Sequence, residues 1–114
     1  HQSIRYMRVQ QTLGQLKGCI AEGFPFVFGF TVYQSFQAPQ VARTGIVPFP
    51  SQGESVSGGH AVMSVGFDDL QQRFICQNSW GTGWGDRGFF YMPYGYLTDN
   101  DLAADFWTAR VIEV

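Results

Sequence analysis

Basic residues and long apolar runs are both scarce in this 114-residue sequence. It contains seven lysines and arginines, spread along the chain, and its formal net charge is -2, so it lacks the basic patch typical of nucleic-acid binding. No apolar run approaches the ~18 residues of a membrane-spanning helix, and no signal peptide is visible. We therefore expect neither a nucleic acid nor a membrane as a partner.

Cysteine and histidine are equally sparse, with two of each. Cys19 and Cys76 are far apart in the sequence and show none of the tight spacings of a disulfide framework, so we expect no disulfide. His1 and His60 do not form part of a ligand cluster, and we expect no metal and no cofactor. Two cysteines do not identify the redox compartment.

Glycine and phenylalanine are abundant, with 14 and 11 residues, and 45% of the chain is hydrophobic. This composition predicts one β-rich domain over residues 1–114, large enough for its own core. Apolar spacing predicts a helix through residues 13–20 that ends at Gly23, and a central strand at 26–33 with two apolar faces. We further expect a loop at 34–59, a strand at 88–92, a short helical turn from 98 to 104 and a closing strand at 106–112.

Two apolar segments, residues 60–67 and 73–78, have strand patterns and are separated by the turn residues 68–72. They predict an antiparallel hairpin that carries His60 and Asn78. If Gly66 faces Gln72, His60 lies directly opposite Asn78 with Cβ atoms roughly 4.5–5.5 Å apart, and a two-residue slip gives about 7–8 Å. In either register the imidazole can reach the amide.

The chemistry of this pair indicates a general base held by a neutral partner. A neutral histidine base needs one free ring nitrogen and a second nitrogen held by a neighbour that fixes its tautomer. The amide oxygen of Asn78 supplies that hold without charge. In a cysteine–histidine ion pair the thiolate itself is the counter-charge, so asparagine favours a cysteine nucleophile over a serine.

Tryptophan and glycine alternate after Asn78. Trp80 is expected to cover the hydrogen bond between His60 and Asn78. Trp84 is expected to support the same loop or the cleft floor on the leaving-group side. Glycines would let the backbone turn tightly around both tryptophans, at Gly81, Gly83 and Gly85. The alternatives are a purely structural histidine and ordinary aromatic packing in a β-domain.

Gly59-His60-Ala61-Val62, followed by Asn78-Ser79-Trp80-Gly81-x-x-Trp84-Gly85-x-x-Gly88-Phe89, resembles the histidine and asparagine blocks of papain-like cysteine peptidases. The second block is long and specific, and nearly the whole chain can be laid on the β-rich second domain of that family. The resemblance implies an α+β fold, an antiparallel β-barrel-like sheet with an N-terminal helix. It also implies that the first, nucleophile-bearing domain is absent from residues 1–114.

No segment upstream of His60 has the Gln-x-x-x-x-Gly-x-Cys pattern of the family's nucleophile. Cys19 falls in the last turn of the predicted helix, where the helix dipole disfavours a thiolate. Cys76 points to the same face of its strand as Asn78, behind the asparagine rather than across a cleft from the histidine. We expect both to be packed thiols. Because the chain starts at His1 and opens almost at once on a helix, we expect a C-terminal half of a longer polypeptide.

Small residues precede the histidine. Gly58 and Gly59 would leave open space beside the base, where the resemblance places the substrate chain, although a plain strand-entry turn explains them equally well. The resemblance also places residues 102–105 at the floor of a substrate pocket. There Asp105 is a candidate selector of basic side chains, and a solvated surface charge is the favoured alternative.

The resemblance implies peptide-bond hydrolysis by a Cys-His-Asn triad of which this chain carries His60 and Asn78. The alternatives are a non-catalytic protein that binds a peptide or partner chain, and a thiol-dependent acyl transferase or amidase. Expected partners are a peptide or protein substrate and the N-terminal half that bears the nucleophile. A domain missing its partner exposes apolar surface, so we also expect a homodimer or a bound chain.

Overall fold

The computed structural model describes residues 2–113. In this range the chain forms six strands, three α-helices and one 3₁₀ turn. In chain order they are β1 (Gln2–Arg8), α1 (Leu13–Ala21), β2 (Phe26–Tyr33), the 3₁₀ turn (Gln34–Gln37), α2 (Pro39–Thr44), β3 (Val56–Asp68), β4 (Arg73–Gln77), β5 (Phe89–Pro93), α3 (Tyr94–Thr98) and β6 (Ala103–Glu113).

All six strands belong to one sheet with the order β1-β6-β2-β3-β4-β5, and every neighbouring pair is antiparallel. The predicted α+β class and antiparallel sheet are confirmed. The sheet is open rather than closed into a barrel, because β1 and β5 lie at its two edges. No helix among residues 2–113 is long and apolar enough to span a membrane.

Strand β2 lies in the middle of the sheet and supplies much of the core. Phe26, Phe28 and Phe30 alternate along it and are at most 4% exposed, and the ring of Phe28 stacks on Phe106 at 5.3 Å between centroids. The central position predicted for residues 26–33 is confirmed. Only one of its two apolar faces is covered, however, since Val27 on the opposite face is 49% exposed.

Helix α1 packs on the covered face against β2 and β3. It begins where Thr12 Oγ1 accepts a hydrogen bond from the Gln15 backbone N–H, at 3.2 Å, which satisfies one of the free donors of the first turn. Leu16 and Cys19 are its buried residues. Past its end, Gly23 has a φ of 98°, a left-handed conformation that glycine adopts without strain.

Strand β1 corrects the expectation that the chain opens on a helix. Its seven side chains are all exposed, and only Ile4 and Tyr6 alternate with polar neighbours, so the local signal for a strand is weak. The strand exists because it pairs with β6 over its whole length, from Gln2 opposite Glu113 to Arg8 opposite Trp107. Such pairing between the two ends of a sequence is not visible in either end alone.

The predicted loop at 34–59 is also wrong in part. It contains the 3₁₀ turn, helix α2 and the first residues of β3. Pro39 occupies the first turn of α2, where its missing N–H costs nothing, and Gly45 ends the helix with a φ of 76°. Helix α2 is six residues long, too short to show an apolar period.

Near the end of the chain, the short helical turn expected at 98–104 is displaced. Helix α3 ends at Thr98, and Ala103 is already in β6. Tyr96 and Leu97 anchor this helix in the core, both at most 1% exposed. The predicted strands at 88–92 and 106–112 are confirmed as β5 and β6, with shifted ends.

Candidate active site

His60 and Asn78 are in direct contact. His60 lies on β3, Asn78 directly follows β4, and the distance from His60 Nε2 to Asn78 Oδ1 is 2.9 Å. The register assumed from the sequence is wrong, because Gly66 faces Ile75 and not Gln72. With Met63 opposite Gln77, His60 and Asn78 are offset by two positions along the hairpin, and the predicted contact forms across that offset.

The surroundings of Asn78 fix the orientation of both side chains. Its Oδ1 also accepts a hydrogen bond from the backbone N–H of Ser79 at 2.8 Å, which identifies this atom as the amide oxygen. The second contact must then be donated by His60, so its Nε2 carries the proton and its Nδ1 is the free acceptor. Asn78 is only 7% exposed, which limits competition from water.

Aromatic rings hold the imidazole on two sides. Trp80 stacks on His60 with centroids 5.0 Å apart and an interplanar angle of 23°. Phe30, directly opposite His60 on β2, meets the same ring edge-on at 5.9 Å. Trp80 remains 50% exposed, so its ring covers the site and also presents a surface to solvent.

The loop that carries the tryptophans is fastened to the rest of the fold. Trp84 packs edge-on against Trp80 at 5.1 Å, and the Gly85 N–H donates to the Ala42 carbonyl of α2 at 2.6 Å. Asn78 N–H donates to Gly88 O, which closes the base of the loop. Of the three glycines predicted to turn this loop, Gly81 and Gly85 have positive φ, whereas Gly83 does not.

A cavity of about 480 Å³ opens beside His60. Gly59 and Ala61 line it from β3, Gly29 and Thr31 from β2, and residues 100–105 close its far side. Since β3 begins at Val56, Gly58 and Gly59 lie within the strand, and the strand-entry turn considered for them is wrong. A Cβ on Gly58 would meet nothing within 4 Å, so space is open there.

A family model described as papain family cysteine protease matches residues 1–106. The chain belongs to this family. It is 44% identical, over 96% of its length, to an uncharacterised peptidase C1-like protein of Acanthamoeba polyphaga mimivirus, and 32% identical over 76% of its length to the thiol protease aleurain of Arabidopsis thaliana. The crystal structure of xylellain, a cysteine protease from Xylella fastidiosa, is 42% identical and superposes with a TM-score of 0.87 over 96% of the chain.

These papain-family proteins are longer than the chain. It spans 38% of the mimivirus protein, 25% of aleurain and 40% of the xylellain chain. Its open antiparallel sheet with one helix on the covered face is the fold expected for the β-rich domain of the family that carries the histidine and asparagine blocks.

Neither cysteine lines the cavity beside His60. Cys19 is 6% exposed near the end of α1, and its Sγ donates to the carbonyl of Phe24 at 3.5 Å. Cys76 is fully buried opposite Ser64, four positions along β3 from His60. Burial raises the pKa of the Cys76 thiol well above its ordinary value, which disfavours the thiolate. Both thiols are free and packed, as predicted.

Asp105 behaves as a surface charge. It lines the outer side of the cavity, but its side chain is 79% exposed and lies 3.9 Å from Arg8 Nη1. Its φ of 60° is a left-handed conformation for a residue with a Cβ. Within residues 2–113, no group of three His, Cys, Asp or Glu side chains could hold a metal ion.

Two residues of the site were missed from the sequence. Phe30 was assigned only to the core, although the pairing of β2 with β3 places it opposite His60. Phe36 was assigned to a loop, yet it is 2% exposed and contacts both Trp80 and Trp84. A lone phenylalanine in a polar segment was the available signal for Phe36.

Proposed function

We propose that residues 1–114 supply the base and its orienting amide to a cysteine peptidase that hydrolyses peptide bonds. The observation that carries the proposal is the hydrogen bond from His60 Nε2 to Asn78 Oδ1. It leaves Nδ1 as the free nitrogen of the imidazole, and Trp80 protects the bond on one side. Held in this way, the ring can exchange a proton only through Nδ1.

The steps follow from this tautomer. Nδ1 takes the proton of a cysteine thiol, and the thiolate attacks the peptide carbonyl. When the C–N bond breaks, the imidazolium returns the proton to the leaving amine and a thioester remains. Nδ1 then takes a proton from water, whose hydroxide attacks the thioester, and the returned proton releases the thiol. Asn78 keeps the ring in place through both half-reactions.

The thiol comes from outside residues 1–114. The segment that carries it is expected to pack on the uncovered face of the sheet. Val27, Met63 and Trp107 are neighbours across β2, β3 and β6 on that face. Beside them a cavity of about 470 Å³ reaches Asn78, whose buried Nδ2 has no hydrogen-bond partner within residues 2–113. We assign this face to the nucleophile-bearing segment of the same polypeptide.

The same face extends onto the β1–β6 ribbon, where Ile4, Tyr6 and Val111 are each more than 60% exposed. An isolated chain with this surface should associate. Light scattering on residues 1–114 at increasing concentration is expected to show a dimer or larger species. Tyr6→Lys, on the ribbon, should weaken the association, and Leu70→Lys, in the exposed β3–β4 turn, is the control. A monomer at all concentrations would contradict the assignment.

The cavity beside His60 is proposed to hold the substrate chain on the acyl side of the scissile bond. Gly59 from β3 and Gly29 from β2 line it without side chains, and the space next to the neighbouring Gly58 is also open. The exposure of Asp105 argues against a buried selector of basic side chains, so we do not assign it a role in specificity.

A cysteine-directed covalent probe tests the proposed function on the complete protein that includes residues 1–114. We expect labelling of a cysteine other than Cys19 and Cys76, lost in His60→Ala and retained in Cys19→Ala. Equal labelling of the His60→Ala protein would refute the role of His60 as base.

One alternative function has an observation in its favour. Both thiols of the chain are buried, and a protein with no further cysteine would keep the fold as a non-catalytic binder of peptides or partner chains. Absence of labelling in any form of the complete protein would support the binder.

A further inference from the structure

The stacking of Trp80 on His60 rests on a residue behind it. Phe36 is 2% exposed and meets Trp80 edge-on at 6.0 Å and Trp84 at 5.6 Å. It also contacts Phe30 at 5.3 Å. Phe36 therefore touches three of the aromatic rings that surround or support the imidazole, and its position decides where Trp80 can lie.

Phe36 belongs to the 3₁₀ turn Gln34–Gln37, which has little internal support. The turn is four residues long, and Tyr33 at its N-cap makes no side-chain capping hydrogen bond. Such turns have poorer hydrogen-bond geometry than α-helices and are seldom stable alone. Their first N–H groups need partners from elsewhere in the fold.

Glu54, 19 residues away, provides one of those partners. One carboxylate oxygen accepts the backbone N–H of Ser35, in the first turn of the 3₁₀ segment, and the other accepts the N–H of Ser51 at 2.9 Å. The Gln34 N–H donates to Ser55 O at 3.0 Å, which holds the two segments side by side. Hydrogen bonds from Ser35 and Ser51 lower the pKa of the Glu54 carboxyl, so these contacts favour its charged form.

The carboxylate of Glu54 is not shared with a basic side chain. Among residues 2–113 it forms no ion pair with a lysine, arginine or histidine. The charge is thus directed at the backbone amides of the two segments, and its hydrogen bonds are specific to the 3₁₀ turn and to the turn at Ser51.

We propose that Glu54 is a positioning residue for His60, acting through Phe36 and Trp80. By capping the 3₁₀ turn it keeps Phe36 in the core, and Phe36 in turn supports Trp80 over the imidazole. The catalytic consequence rests on the proposed function, whereas the packing consequence is a property of the chain itself. The two are therefore tested separately.

NMR of residues 1–114 tests the packing. Only His1 and His60 contribute imidazole signals, and the ring current of a tryptophan stacked at 5.0 Å displaces the ring protons of His60. Trp80→Ala gives the fully unstacked reference. In Glu54→Ala the His60 ring protons should move part of the way toward their Trp80→Ala positions. Glu54→Gln, which keeps one acceptor oxygen, should move them less.

Asp68→Ala is the matched control. Asp68 also accepts a backbone N–H within a turn, from Gln71 at 3.2 Å, but it lies eight positions from His60 on β3, roughly 25 Å along the strand. The His60 signals of the Asp68→Ala variant should match those of the unmodified chain. Unchanged His60 signals in a folded Glu54→Ala chain would overturn the proposal. Global unfolding of both Glu54 variants would do so too, because it would assign Glu54 to overall stability.

In the complete protein with the proposed activity, Glu54→Ala should lower kcat by roughly 3- to 10-fold with little change in KM, since Glu54 does not line the cavity assigned to the substrate. Partial recovery of kcat in Glu54→Gln should parallel the smaller NMR displacement. If the complete protein is not a peptidase, the NMR experiment by itself still decides whether Glu54 holds Trp80 over His60.

Discussion

For the proposed peptidase activity of the complete protein, His60→Ala should lower kcat/KM by roughly 10³- to 10⁴-fold, because it removes the group assigned to take the thiol proton and return it to the leaving amine. The loss should fall mainly on kcat, since the imidazole acts on atoms that change charge in the transition state rather than on the bound peptide. Steady-state kinetics on a peptide ester and on the corresponding amide measures it.

The ester and the amide should differ in a defined way. An alkoxide leaving group needs less protonation than an amine, so the loss in His60→Ala should be smaller on the ester. Equal losses on the two substrates would argue that the imidazole only activates the thiol. Cys76→Ala, buried and opposite Ser64, serves as the control for a loss caused by destabilisation.

Asn78→Ala should cost less than His60→Ala. It removes the acceptor of the Nε2 proton and leaves the imidazole free to rotate and to change tautomer, while the base itself remains. Asn78→Asp keeps the acceptor and adds a charge that favours the imidazolium. Activity of Asn78→Asp above that of Asn78→Ala would show that holding the ring matters more than the neutrality of the partner.

Gly85→Ala should destabilise the chain by about 2–5 kcal/mol. A Cβ at this position would lie 2.5 Å from the carbonyl oxygen of Phe89, a backbone atom that cannot swing away. The φ of 65° costs an L-residue roughly 1–2 kcal/mol, and forcing atoms into a packed site costs roughly 1–3 kcal/mol more. Because total stability is on the order of 5–15 kcal/mol, the loss should be plain in a urea unfolding curve.

Gly83→Ala is the matched control in the same loop. A Cβ there meets nothing within 4 Å and the backbone has no positive φ, so the free energy of unfolding should change by no more than about 0.5 kcal/mol. Similar midpoints for the two variants would mean that the loop relaxes around the added methyl group, and would contradict the close approach of Gly85 to β5.

The contact between His60 and Asn78 was predictable because it depends on local pairing within one hairpin. The exact register was not, because the turn places Asp68 opposite Arg73, three residues away from the assumed pairing. A bulge between Ser64 and Gly66 then reduces the difference to two residues near His60, and nothing in the apolar pattern marks either feature. The contact between His60 and Asn78 forms in spite of the wrong register, because a histidine side chain is long enough to reach across a two-residue offset.

Features that depend on residues far apart in the sequence were harder to predict. Strand β1 is fixed by β6, at the other end of the sequence, and its own side chains are all exposed. Phe36 reaches the site only because the 3₁₀ turn folds back under Trp80. In both cases the determining contacts are tertiary, and they outweigh weak local preferences.

The anchoring of the tryptophan loop bears on how this region could respond to ligands. The loop is tied to α2 through Gly85 and to the end of β4 through Gly88, and Gly45 O accepts the N–H of Tyr91 at 2.7 Å on the adjoining strand. Because of these hydrogen bonds, the loop that carries Trp80 and Trp84 is already ordered before a ligand binds. Inhibitors that stack on Trp80 would therefore gain affinity from a preorganised surface, with little conformational entropy lost by the protein.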